Sequence, residues 1–349
     1  MAVGKIRVLV VDDSLLARKV LIEGLNRNPT IEVVGYAINA IDAKTKVKQL
    51  RPDVMTLDVQ MPGMTGLDFL KSFLPEYPLP VVLVSALNLG VFDALHAGAV
   101  DFVRKPDASQ STEAFLSTLT QKVRIASKAK VQTPGASGGT ANGTEAGAKQ
   151  LLGTSISGRI IIALGASTGG TEATLEVMKR LPADIPGMVI TQHMPTGFTK
   201  MYAERLNKLC AMEVREAKEG DEVRRGLALI APADLQMRVV RSPLGGYRVT
   251  CTHGEKVSGH RPSVDVLFSS VAQNVQCRTV GIIMTGMGAD GAKGLLEMRQ
   301  KGAFTIGQDK ESCVVYGMPG VAHDIGAVMV QASCKDIAGV LIRHLKAGR

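Results

Sequence analysis

Short aliphatic runs alternate with helix-period segments along the first hundred residues. The runs cover 6–11, 32–37, 54–57, 81–84 and 99–103, and apolar residues between them recur at three- and four-residue spacing. Strand followed by helical crossover, repeated, predicts a parallel sheet covered on both faces, with ligand sites at the carboxyl ends of its strands. Polar residues stand at those ends: Asp12 and Asp13 after the first run, Asp58 after the third, Ser85 after the fourth and Lys105 after the fifth.

A second alternation starts at Arg159. Residues 160–164 run into the small-residue turn Gly165-Ala166-Ser167-Thr168-Gly169-Gly170, and a helix-period segment follows. Residues 188–192 end at Gln192-His193, after which Phe198, Met201, Tyr202, Arg205 and Leu209 keep helical spacing. Residues 238–241 and 247–252 alternate as an antiparallel hairpin around Gly245-Gly246. Residues 280–285 form a buried strand leading into a glycine-rich loop that carries Asp290, and 303–307 and 327–330 read as further strands. A closing helix over 335–346 puts Ile337, Val340, Leu341, His344 and Leu345 on one stripe, so His344 is expected to pack rather than ligate. The predicted class is α/β: a doubly wound parallel domain over 1–127 and a second doubly wound α/β domain with a hairpin over 157–349. Residues 128–156, rich in Gly, Ala, Ser and Thr and without sustained periodicity, read as a flexible linker.

Composition narrows the class. Of 349 residues, 45% are hydrophobic but only 4% aromatic and none is Trp, which suits aliphatic α/β cores in two or three domains. The net charge of +9 favours acidic partners or a solvated basic surface and does not by itself argue for DNA. Lys122, Arg124, Lys128 and Lys130 are expected on the exposed face and end of the last helix of the first domain, with a phosphate or receptor contact as the alternative. Five cysteines at wide spacing, none in C-x-x-C, fit a reducing cytoplasm. No run of about 18 apolar residues occurs, so the chain is expected to be soluble, unexported and cytoplasmic.

Three carboxylates at one strand edge repel unless a hard cation is present, and oxygen ligands alone suit Mg²⁺. A lysine and a hydroxyl beside them complete a site for a phosphoryl group. VVDDS at 10–14, DVQMPGMTGLDFL at 58–70, Ser85 and DFVRKP at 101–106 closely resemble the receiver domain of two-component response regulators. The resemblance implies a flavodoxin-like sheet of order 2-1-3-4-5 and a phosphoryl group accepted by Asp58 from a histidine kinase. It also implies Mg²⁺ among Asp12, Asp13, Asp58 and the carbonyl of Gln60, and sensing of the phosphoryl oxygens by Ser85 and Lys105. One departure is the twelve-residue gap between Ser85 and Gly98, which predicts a fourth helix about a turn short and an altered signalling face.

In the second half, Ser167, His193 and Asp290 stand at or just beyond the ends of three apolar strands. Gly165 to Gly169 fits G-x-S-x-G, which serves a structural turn or a phosphate loop as readily as a nucleophile. The set as a whole is what acyl transfer needs: a hydroxyl, an imidazole to take its proton, and a carboxylate to orient the ring. The order Ser, His, Asp is not that of α/β-hydrolases, so a convergent triad is expected. The N–H groups of Thr168 and Met287 are candidate oxyanion donors. Cys313 with His323 is a rival pair, but Cys313 beside Val314-Val315 reads as a buried small hydrophobe. His253 and His260, lacking acidic or thiol partners at metal spacing, read as surface or substrate-loop residues.

GASTGG at 165–170, QHMPTGFT at 192–199, GHRPSVDVLF at 259–268, MTGMGADGAKGL at 284–295 and ESCVVYGMPG at 311–320 together closely resemble the catalytic domain of the CheB family of chemotaxis response regulators. The resemblance implies Ser167 as nucleophile, His193 as base, Asp290 as its orienting partner, and Thr168 and Met287 near the oxyanion. It implies hydrolysis of glutamate γ-methyl esters, and deamidation of glutamines, on cytoplasmic helices of methyl-accepting chemotaxis proteins. No cofactor is expected for the esterase chemistry, and membranes are met only through receptors. The tethered receiver, when unphosphorylated, is expected to cover the mouth of the Ser167 site. Two readings compete: a DNA-binding response regulator, which would need a compact module with a recognition helix, and a dinucleotide-binding module, which would want an acidic residue where Gln192-His193 stands.

Overall fold

A computed structural model describes residues 4–61, 63–86, 90–106, 111–131 and 159–347. The chain divides into two compact units, 1–140 and 141–349, and each is described by itself. The expected linker at 128–156 lies outside the described residues from 132 onward.

In the first unit the elements run β1 (Ile6–Val11), α1 (Leu15–Asn26), β2 (Ile31–Ala37), α2 (Ala40–Leu50), β3 (Val54–Leu57), α3 (Gly66–Phe73), β4 (Val81–Ser85), α4 (Gly90–His96), β5 (Asp101–Arg104) and α5 (Thr112–Ala126). The sheet is wholly parallel in the order β2-β1-β3-β4-β5. β3 and β4 are buried along their whole length, which is why they read as unbroken aliphatic runs. Ser14, Asn39, Thr65 and Ser111 cap the helices that follow them, each side chain accepting a backbone N–H of the first turn. α4 spans seven described residues, and the three before it, 87–89, lie outside the described residues, as does the full length of the helix expected to be short. The fifth strand starts at Asp101 rather than 99, because Gly98 (φ +111°) closes α4 and the Ala99 N–H still donates to Ala94. Lys122 is not on an open face: its Nζ lies 2.7 Å from Asp101 Oδ2, whereas Arg124, Lys128 and Lys130 are exposed.

The second unit runs β6 (Ile160–Ala166), α6 (Gly170–Met178), β7 (Gly187–Gln192), α7 (Phe198–Leu209), β8 (Glu213–Glu216), β9 (Leu227–Ile230), β10 (Gln236–Arg241), β11 (Tyr247–Thr252), α8 (Val264–Asn274), β12 (Arg278–Ile283), α9 (Ala292–Gln300), β13 (Phe304–Gln308), α10 (Met318–Asp324), β14 (Val330–Ala332) and α11 (Ile337–Ala347). Seven strands form a parallel sheet in the order β14-β13-β12-β6-β7-β9-β8, and β10-β11 is a separate antiparallel hairpin turning at Gly245 and Gly246. One core joins this sheet to the hairpin and α8: Ile161, Val189, Leu229, Met237, Val249, Leu267, Phe268 and Leu295 are buried together. β14 begins three residues later than expected, since Gly326 (φ +76°) ends α10 and the Ala327 N–H donates back to Ala322. His344 stacks on Phe304 at 3.9 Å, the packing role anticipated for it, and burial lowers its pKa.

Candidate active site

β6 is the switch point of the second sheet. On one side of it lie β7, β9 and β8, and the chain later crosses to the other side to add β12, β13 and β14. A reversal of this kind opens a crevice at the carboxyl ends of the strands. Ser167 follows β6, His193 follows β7 and Asp290 lies in the loop after β12, so the loops of three adjacent strands meet there. Ala166 and Gln192 are register partners, which puts Ser167 and His193 side by side one step beyond them. The ladder continues past the strand ends: the His193 N–H donates to Ala166 O (3.1 Å), and the Ser167 N–H to Thr285 O (3.0 Å). A Cβ on Gly286 would sit 2.7 Å from Ser167 Cβ, so only glycine lets the β12 loop pass so close to the serine. Ser167 itself is 8% exposed.

His193 Nε2 lies 2.8 Å from Asp290 Oδ2, and both side chains are buried. A carboxylate only accepts, so the ring proton belongs on Nε2 and Nδ1 is left with a lone pair. Nδ1 is buried and has no hydrogen-bond partner. An imidazole in this state is poised to take a proton. Asp290 is held from several directions: Ser263 Oγ donates to Oδ1 (2.7 Å), and the Val264 and Asp265 N–H groups donate to Oδ2 and Oδ1 (2.7 and 3.1 Å). Those N–H groups belong to the first turn of α8, where an anion is favoured. Burial pushes the Asp290 carboxyl up, but the bonds from His193, Ser263 and Val264 outweigh it and hold the group below the usual carboxylate range. The imidazole of His260 stacks on that of His193 at 3.7 Å and 10°.

The two candidate oxyanion donors share a construction. Gly286 O accepts from the Gly317 and Met318 N–H groups (3.1 and 2.8 Å). Because the peptide is planar and trans, the Met287 N–H faces the opposite way. Ser167 O accepts from the Gly170 N–H (2.7 Å) and Gln192 Nε2 (2.9 Å), which turns the Thr168 N–H in the same fashion. Of the rival residues, Cys313 is buried and His323 and His253 are exposed.

In the first unit, ligand oxygens of Asp12, Asp13 and Asp58 lie within 4.8 Å of one another at the ends of β1 and β3. Lys105 Nζ is 2.6 Å from Asp58 Oδ2 and 2.8 Å from Asp12 Oδ2. Burial pushes the Asp58 carboxyl above the usual range, with Lys105 and the Gln60 N–H (3.1 Å) opposing and Asp12 adding to the rise. Ser85 is fully buried with no partner for its Oγ, and its carbonyl accepts the Lys105 N–H (2.8 Å). Hard oxygen donors crowded this closely fit a small divalent cation.

Residues 162–341 match the CheB methylesterase family, and residues 8–116 match the response regulator receiver domain. A protein-glutamate methylesterase/protein-glutamine glutaminase of Syntrophomonas wolfei is 52% identical over 98% of each chain. The chain belongs to the CheB methylesterase family. A relative of the same description from Syntrophotalea carbinolica is 48% identical over 99% of each chain. The catalytic domain of Thermotoga maritima CheB, a crystal structure, matches with a TM-score of 0.52 and 34% identity, covering 54% of this chain and 99% of that one.

Within this CheB-family site, sequence reasoning overlooked Ser263, Gln192 and the stacking of His260. Ser263 had a signal: Val264, Leu267, Phe268, Val271 and Ala272 follow it at helical spacing, so it stands at an N-cap. Gln192 and His260 had none, because nothing in a linear pattern shows which carbonyl an amide reaches or which ring a loop covers. In the receiver, buried Arg18 went unnoticed; its Nη1 donates to the carbonyls of Asp12 and Asp13 (2.8 and 2.9 Å). Among the described residues no helix is long and apolar enough to cross a membrane.

Proposed function

We propose that this chain hydrolyses γ-methyl esters of glutamate, and deamidates glutamine, on the cytoplasmic helices of methyl-accepting chemotaxis proteins. The observation that carries the reading is the buried Asp290–His193 pair, in which His193 Nδ1 is unengaged, together with the strand register that sets the His193 and Ser167 backbones side by side at the switch point of the sheet. Ser167 Oγ attacks the γ-carbonyl carbon while His193 takes its proton, and Asp290 stabilises the resulting imidazolium. The Thr168 and Met287 N–H groups hold the oxyanion, each contributing roughly 3 kcal/mol when well aimed. His193 then protonates the departing methanol or ammonia. Water, deprotonated by the same imidazole, releases glutamate from the acyl-enzyme. Shared family membership with proteins described as glutamate methylesterases and glutamine glutaminases supports this reading.

The receiver, residues 1–127, accepts a phosphoryl group on Asp58 from a histidine kinase. Asp12, Asp13, Asp58 and the Gln60 carbonyl would hold Mg²⁺, whose charge offsets that of the phosphoryl oxygens. Ser85 and Lys105 meet those oxygens once they arrive. The linker at 128–156 joins it to the catalytic domain at 157–349, and the unphosphorylated receiver covers the Ser167 site.

Methanol release from methylated receptor fragments, with and without a small phosphodonor, tests the whole reading. Ser167→Ala should lose esterase and deamidase activity together, and retention of either would identify a different nucleophile. Asp58→Asn should remove the stimulation by phosphodonor. A fragment of residues 151–349 no more active than the unphosphorylated full chain would refute inhibition by the receiver.

A further inference from the structure

We propose that Gln192 is a positioning residue for this reaction, its side-chain amide aiming the Thr168 N–H at the oxyanion while fixing the backbone of His193. The inference rests on the reading of Ser167 as the nucleophile. Gln192 is the last residue of β7 and is 2% exposed. Its Nε2 donates to two carbonyls, Ser167 O (2.9 Å) and His193 O (3.2 Å). One amide thus ties the turn that carries the hydroxyl to the residue that carries the base. The orientation is unambiguous, since a flipped amide would set its oxygen against two carbonyl oxygens.

Two further observations separate a positioning role from ordinary packing. Gln192 Oε1 is buried and has no partner. An orphan acceptor in a protein interior is destabilising, and an apolar residue of the same length would avoid that cost. What the amide adds over such a residue is its two donors. Its room is also made deliberately: a Cβ on Gly170 would fall 2.3 Å from Oε1, so the glycine that opens α6 is what admits the side chain.

Of the four donors that pin the two oxyanion peptides, three are backbone N–H groups of Gly170, Gly317 and Met318, and Gln192 supplies the fourth from a side chain. When the Gln192 bond is lost, Ser167 O keeps one partner and the Ser167–Thr168 peptide can rock about it. The Thr168 N–H swings with the plane, since the two groups share one rigid unit. The effect falls on the transition state, where the oxyanion forms, and not on substrate docking.

The test uses the full chain with methylated receptor fragments and two substitutions. Gln192→Met keeps the length and removes both donors; kcat should fall about 100-fold, the scale of a 1 Å misplacement, with KM within about twofold. Gln192→Glu is isosteric. Ionised, it opposes both carbonyls, and burial raises its pKa; protonated, it restores one of the two bonds. The ratio of its kcat to the wild-type value should therefore climb as pH falls, whereas the ratio for Gln192→Met stays flat. Circular dichroism reports folding of each, and the Gln192→Glu ratio stands alone if Gln192→Met does not fold. A wild-type kcat in Gln192→Met, or a pH-independent ratio in Gln192→Glu, overturns the assignment. Full activity in Ser167→Ala would instead overturn the nucleophile on which it rests.

Discussion

His193 is constrained along two directions: Asp290 fixes one ring nitrogen, and the ring of His260 fixes the plane. The second constraint is testable by shape. Aromatic pairs contribute about 0.5–1.5 kcal/mol beyond burial, so His260→Ala should lower kcat roughly two- to tenfold. His260→Phe keeps the stack and should stay near the wild-type rate; equal losses in both variants would show that stacking is not what His260 provides. Asp290 carries a pH signature as well. Its folded pKa lies below the ordinary value. Its ionised form therefore adds stability that is fully present above the unfolded pKa of about 3.9 and is lost as pH falls through the folded value. Acid unfolding followed by circular dichroism should show this loss in the wild type, and Asp290→Asn should lack that part of the transition.

At the scale of elements, α8 and α9 cap one another. Asp290, in the loop before α9, accepts the first N–H groups of α8, and Asp265, in the first turn of α8, accepts the Gly294 N–H of α9 (2.8 Å). Burial pushes the Asp265 carboxyl above the usual range, and the charge of Asp290 adds to the rise. Ser263 joins the two helices, its Oγ donating to Asp290 and accepting the Val266 N–H. Ser263→Ala should destabilise the domain by about 1–2 kcal/mol in urea melts and lower kcat, because Asp290 loses a donor. Unchanged kcat with the expected loss of stability would mean that the backbone of α8 holds Asp290 unaided. Long periodic segments such as α7 and fully buried strands such as β6 could be read directly, whereas β8, the charged edge strand Glu213–Glu216, pairs on one side only and carries little apolar signal.

At the scale of the molecule, each unit has its own sheet and buried core. Calorimetry of the full chain should resolve two unfolding transitions, of which Mg²⁺ raises one and a chelator lowers it again, since a ligand stabilises only the fold that binds it. A single transition indifferent to Mg²⁺ would contradict both the division and the acidic site.

The order of runs and breaks along the chain was enough to establish two α/β halves, the carboxyl-edge position of Asp12, Asp58, Ser167 and His193, and the polar residue types each half needs. Those features are local: they depend on side-chain period and on what ends a strand. The pairing of β12, β6 and β7, the engagement of Nε2 rather than Nδ1 by Asp290, and the reach of Gln192 to two carbonyls were decided only by the tertiary structure. Contacts such as that between His193 and Asp290, 97 positions apart, are set by how the strands are ordered and how the loops beyond them pack, and no short-range pattern encodes either.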